Sequence, residues 1–294
     1  GNDRLTAASL GTTVVLEVTG GPGDDTIFGS PQSDTILGGA GNDSIIARDG
    51  NDVVDGGEGN DNLDGGSGND TLQVIADAHL RISTNNTFGA GSDFHTGFEQ
   101  AVLTAGAGNN RLDASEVNIP VTLSGLGGND TLLGGSGIDR LDAGNGSDSI
   151  EITGTNIVLT DASAPTATGD TLISVESLLL IASGANSLID ASDYTLGPVT
   201  IIGSGGNDTL KGGAGNDFVL ARSGFDVVTG GPGNDFIAGN AGNDSLSGDD
   251  GDDTIIGGRG RDTLAGGQNA DVLLGMIGND TIDGGAGADR IRGG

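Results

Sequence analysis

From residue 208 to residue 289 an aspartate stands at every ninth position: Asp208, Asp217, Asp226, Asp235, Asp244, Asp253, Asp262, Asp271, Asp280 and Asp289. The same spacing links Asp25, Asp34, Asp43, Asp52, Asp61 and Asp70, and again Asp130, Asp139 and Asp148. Asp holds its carboxylate close to the main chain, where a tight turn can share it with backbone carbonyls around a hard cation. The chain has thirty-six Asp against six Glu. A solvated acidic surface would mix the two, so the bias points to metal ligation.

Two residues after each Asp comes an aliphatic side chain, as in Leu210, Val219, Val228 and Ile237, and before it the chain reads mostly Gly-Gly-x-Gly-Asn. The unit is G-G-x-G-x-D-x-U-x, with U aliphatic. Glycines in the turn take positive φ without a Cβ penalty and expose consecutive carbonyls. Each x-U-x segment is too short to be stable alone, but parallel strands of successive turns can pair at about 4.8 Å. Two units then make one turn, with the U side chains filling a thin aliphatic core. The predicted fold is all-β: a parallel β-roll or β-solenoid of stacked nonapeptides.

Carbonyls and an Asp from each of two stacked turns supply an oxygen cage that suits Ca²⁺ better than Mg²⁺. The predicted ligands are Asp25, Asp43, Asp61, Asp70, Asp130, Asp139, Asp148, Asp208, Asp217, Asp235, Asp244, Asp253, Asp262, Asp271, Asp280 and Asp289. Asp34, Asp52 and Asp226 lie in units that lack turn glycines, and their sites are expected to be weak or empty. Bridging each unit to the one a full turn later gives roughly thirteen Ca²⁺. They would supply about +26 against a net charge of −31, so folding is expected to depend on calcium.

Three repeat blocks, 20–72, 125–150 and 203–294, alternate with segments where the period is not visible. Residues 1–19 read as the end of a preceding insert, with Thr12–Thr19 as a strand. Residues 73–124 and 151–202 read as wider β-solenoid inserts, and they resemble each other: Asn109–Ser115 is echoed by Asn186–Ser192, and Pro120–Leu123 by Pro198–Ile201. Repetition at two scales implies a stack. Both ends cut into a repeat, so a longer parent chain is expected.

The motif resembles that of the repeats-in-toxin, or hemolysin-type calcium-binding, family. The resemblance covers residues 20–72, 125–150 and 203–294. It implies a β-roll formed on Ca²⁺ binding and export by type I secretion from a Gram-negative bacterium to the outside or the cell surface.

Other chemistry is poorly served. With no cysteine there is no disulfide, thiolate zinc site or Cys nucleophile. His79 and His95 lack a metal-ligand spacing, and the carboxylate pairs Asp249-Asp250 and Asp252-Asp253 fall within repeats. Eleven scattered Lys and Arg argue against nucleic acid. No apolar run approaches the roughly twenty residues of a membrane span. An irregular third position, never Thr, argues against ice binding. The reading is a non-catalytic calcium-binding structural segment of a secreted or cell-surface protein, such as an adhesin stalk, surface layer or fibre. The alternative is the calcium-folded secretion module of an enzyme or toxin whose catalytic domain lies elsewhere. Further copies or flanking repeats are candidate end-to-end partners.

Overall fold

The computed structural model describes residues 1–6, 16–154, 156–161 and 171–294. Part of the Thr12–Thr19 run lies outside them; from Glu17 the chain forms a strand, Glu17–Pro22. Every regular element among the described residues is a β-strand. The chain divides into two compact units, residues 1–146 and 147–294.

The unit 1–146 is a β-solenoid whose strands fall alternately on two sheets. Its front sheet opens with Arg4–Thr6, Thr26–Phe28, Ser44–Ile46 and Asn62–Asp64 in parallel register. Its back sheet runs from Glu17–Pro22 through Thr35–Ala40, Val53–Glu58, Thr71–Ile75, Gln100–Thr104 and Val121–Ser124 to Arg140–Asp142. The back sheet therefore passes from repeats to insert without a break in parallel pairing.

The front sheet does not. Beside Asn62–Asp64 lies Ser92–Thr96, still parallel, but the next strands, Asn86–Phe88 and Leu80–Ile82, form an antiparallel meander. Parallel stacking then resumes through Arg111–Asp113 to Thr131–Leu133. The first insert is wider because one front strand is replaced by three.

The unit 147–294 repeats the scheme. Its front sheet contains Ser149–Gly154, Ser177–Ala182, Val199–Ile202, Phe218–Leu220, Phe236–Ala241, Thr254–Arg259, Val272–Ile277 and Arg290–Arg292, all parallel. On the back sheet Asn156–Asp161 pairs with Thr171–Ile173 and Leu188–Asp193, and the stack continues to Thr281–Ala286.

In each unit the core is a row of the U side chains. Ile45, Val54, Leu72, Val219, Ile237 and Ile255 are fully buried. In the register each stands on its counterpart eighteen residues away, as with Ile237 on Ile255. An aliphatic side chain at every turn is what this narrow interior can pack. The exceptions are at the ends, where Leu5 and Ile282 are partly exposed and Ile291 is half exposed.

Candidate metal centres in the turns

Each motif Asp turns its carboxylate inward at the edge of the core, and nearly all are buried; only Asp280 and Asp289, near the last turn, are partly exposed. One oxygen is fixed. The Oδ1 of each Asp accepts the backbone N–H of the Asp one turn earlier: Asp25 to Asp43 to Asp61, and Asp34 to Asp52 to Asp70, at 2.7–2.8 Å. The same chains run from Asp208 through Asp226, Asp244 and Asp262 to Asp280, and from Asp217 through Asp235, Asp253 and Asp271 to Asp289. A side-chain acceptor oxygen is thus needed at this spacing even for stacking.

The residue before each Asp builds a second ladder in the opposite direction. Asn60 N–H donates to Asn42 Oδ1, Asn69 to Asn51 and Asn234 to Asn216. Its side-chain carbonyl caps a turn amide that strand pairing leaves out, which explains the frequent Asn before the Asp.

The second carboxylate oxygen distinguishes the sites. For Asp25, Asp43, Asp52, Asp61, Asp70, Asp226, Asp235, Asp244, Asp253, Asp262, Asp271 and Asp280, Oδ2 is buried with no hydrogen-bond partner. Such an atom calls for a compensating cation or proton. At Asp34, Asp139, Asp208 and Asp217 the backbone N–H four residues earlier, of Ser30, Gly135, Ser204 and Gly213, donates to Oδ2 at 2.6–2.8 Å. These are closed turns. In the open turns the residue four before the Asp takes positive φ, which aims its N–H elsewhere; even Arg48, Leu126, Arg222, Asn240, Asp249 and Met276 do so.

The first glycine of the motif lines the gap that a cation would fill. A Cβ on Gly248 would lie 2.0 Å from Asp253 Oδ2 and 2.7 Å from the carbonyl oxygen of Gly266 on the next turn. Equivalent pairs of oxygens converge at Gly20, Gly38, Gly125, Gly230, Gly239, Gly257 and Gly266. Two oxygens from adjacent turns, one of them an ionised carboxylate, facing a space that excludes even a methyl group form a fitting Ca²⁺ cradle. Among the open turns this geometry selects Asp25, Asp43, Asp130, Asp235, Asp244, Asp253, Asp262 and Asp271, which would hold the ion together with the next turn's carbonyl. The same pair of oxygens converges at Gly29 and Gly212, but there the N–H of Ser30 or Gly213 already occupies Oδ2. A bound ion would supply the positive charge that the buried carboxylates lack.

The remaining ligand candidates fall into place beside these. Asp139, Asp208 and Asp217 have closed turns. Asp52, Asp148 and Asp226 have Ala47, Ala143 and Ala221 where the first glycine would be, and each of these methyl groups is buried. Asp61 and Asp70 stand against the first insert, and Asp280 and Asp289 at the last turns.

Burial raises the carboxyl pKa of Asp52, Asp61, Asp235, Asp244 and Asp253, with neighbouring carboxylates adding to the effect. Asp235 is pushed up to about 7, and Asp52, Asp61, Asp244 and Asp253 to about 6. The N–H ladder acts the other way and only partly offsets the burial.

Three ladder residues escape the nine-residue pattern. Asp93 accepts the N–H of Asp61 at 3.1 Å, and His95 sits on Leu63 in the core row. Gly89-Ala90-Gly91-Ser92-Asp93-Phe94-His95 is thus a disguised repeat with His at U, so the period does not vanish across 73–124 as expected. Thr87 Oγ1 donates to Asp93 Oδ2 at 2.8 Å. Glu99 and Glu176 accept the N–H of Asp70 and Asp148, each at 2.8 Å, and cap the two arrays. The signal for them was a Glu directly before an apolar strand in both inserts. Asn110 and Ser187 hold the ligand position as neutral residues, donating N–H to Asp130 and Asp208.

The family model for the RTX calcium-binding nonapeptide repeat, in copies of four, matches residues 19–54, 37–72, 122–151, 200–228, 229–264 and 265–294. These matches cover more than half of the sequence, and the chain belongs to this family of calcium-binding repeat proteins. No curated protein matches the chain.

Proposed function

We propose that the chain is a non-catalytic structural segment of a secreted or cell-surface bacterial protein, folded by calcium and exported by the type I route of its family. The observation that supports this reading most is the carboxylate ladder. It runs through the repeats and on to Asp93, Glu99 and Glu176 in the inserts, so the conspicuous acidic residues are engaged in stacking turns. Among the described residues, no helix is long and apolar enough to cross a membrane.

The open turns with complete oxygen pairs suggest roughly eight well-formed Ca²⁺ sites, fewer than the thirteen that spacing alone allows. They would bring about +16 against −31. Isothermal titration should return close to that number of tight ions, and far-ultraviolet circular dichroism should show β structure in calcium that collapses in chelator at low salt. An unchanged β spectrum in chelator would overturn calcium-coupled folding.

A further inference from the structure

The two sheets of the unit 147–294 differ sharply on their outer faces. On the back sheet the outward positions are mostly hydrophilic, with Thr209 and Lys211, Ser245 and Ser247, Thr281 and Asp283, interrupted by Val227 and Ala265. On the front sheet one outward column runs Leu179, Thr200, Phe218, Phe236, Thr254 and Val272 in continuous register. The neighbouring column runs Ile181, Ile202, Leu220, Ala238, Ile256 and Leu274. Neither holds a charge over six turns. The columns end in Glu151 and Thr153 on one side and in Arg290 and Arg292 on the other. At the centre Phe218 and Phe236 stack with ring centroids 5.0 Å apart, and Phe218 is 40 % exposed.

We propose that this face docks on the same face of a second copy, with the two stacks antiparallel. Sheets pack face to face at about 10 Å, and a two-fold axis parallel to the strands, passing between Phe218 and Phe236, makes the contact isologous. Phe218 then meets the partner's Phe236, giving a four-ring centre of the kind that dominates interfaces. Leu220 lies over the partner's Ala238, a small side chain already buried between its neighbours, so the large side chain faces a shallow position. Thr200 meets the partner's Thr254, and Leu179 the partner's Val272. At each end Glu151 meets the partner's Arg290. The alternative two-fold axis, along the stack, would set Arg290 against the partner's Arg290 and Glu151 against the partner's Glu151, and like charges oppose it.

Eight rows at about 4.8 Å by two columns give roughly 400 Å² per copy, about half the ~800 Å² of a standard interface. The dimer is therefore expected to be weak. It also requires calcium, since the ion-free chains repel each other.

Sedimentation velocity of the full chain in excess calcium, from about 10 µM to about 1 mM, tests this. The expected result is a concentration-dependent shift from 28.7 kDa toward twice that mass. Phe218→Lys with Phe236→Lys should weaken association at least tenfold, while Ser245→Lys on the back sheet should leave it unchanged. Circular dichroism verifies that each variant folds. The chain has no native cysteine, so the register is tested separately. A short bismaleimide should cross-link the double variant Thr200→Cys/Thr254→Cys into dimers but not Thr200→Cys alone. A monomer at every concentration, a dimer that survives the two lysines, or cross-linking of Thr200→Cys alone would overturn the proposal.

Discussion

An added methyl group separates two roles of glycine in these turns. Gly248 has an ordinary backbone conformation, but its Cβ would occupy the gap between Asp253 Oδ2 and the Gly266 carbonyl. Gly248→Ala should therefore bind one Ca²⁺ fewer by isothermal titration, as the natural Ala47 and Ala221 suggest for their own turns. Gly21 is the converse case: φ is +102° and no atom lies within 4 Å of an added Cβ. Gly21→Ala should cost about 1 kcal/mol of stability through backbone strain and leave the ion count unchanged. The carboxyls give a pH signature. The folded pKa values of Asp52, Asp61, Asp244 and Asp253, about 6, and of Asp235, about 7, stand above the ordinary 3.8, so between these values the folded chain holds protons that the unfolded chain has released. Stability of the calcium-free fold is then greatest below about pH 4 and declines as pH rises through 6 to 7. Calcium competes with those protons, so its affinity rises over the same window. Thermal melts in chelator should give a higher Tm at pH 4 than at pH 7.5, and calcium added at pH 6 in weak buffer should release protons.

Open and closed turns set the next level, because the neighbouring turn decides which form occurs. Gly213 has the glycine needed for positive φ, yet it stacks on the carbonyl of Tyr194 from the insert and takes the closed form. In Asp217 both carboxylate oxygens face N–H donors, from Val199 at 2.8 Å and Gly213 at 2.6 Å. Asp217→Asn must set an amide donor against one of them, at a cost of about 1–3 kcal/mol, with no loss of calcium stoichiometry. Asp235→Asn keeps the bond from Asp217 N–H but exchanges the open oxygen for an amide. It should lose one ion with a smaller loss of apo stability; equal ion counts for the two variants would refute the distinction. The parallel stack, the core row and most ladder Asp were legible from the period, and the strands within Asn109–Ser115 and Pro120–Leu123 from their echo in the second insert. Asp93 was not, because His95 stands in an aliphatic place. The meander strand Asn86–Phe88 carries too little apolar pattern to read. Turn state was illegible at Gly135 and Gly213, since it depends on a neighbour distant in sequence.

Across the whole chain, charge is distributed so that the parts should not come apart together. Each repeat array brings a buried, mutually repelling row of carboxylates that relies on cations. In the inserts the equivalent positions are mostly neutral: Asn110 and Val121 in one unit, Ser187 and Val199 in the other, each donating its N–H to the next turn's Asp. The inserts also bury apolar side chains of their own, including Leu80, Ile82, Leu103, Leu112 and the aromatic Tyr194. Calcium removal at low salt should therefore release the arrays while the inserts retain local structure, as expected for regions with their own apolar contacts. Amide hydrogen exchange in chelator should show residues 100–124 and 188–202 protected at least tenfold longer than residues 35–64 and 227–286. Raising NaCl to about 1 M shortens the Debye length to about 3 Å, which weakens repulsion between turns without supplying a bridging ion. Salt should consequently slow exchange in the arrays without restoring the calcium-loaded level. Uniform exchange along the chain, or full rescue by NaCl, would show that the carboxylate rows do not set the order of unfolding.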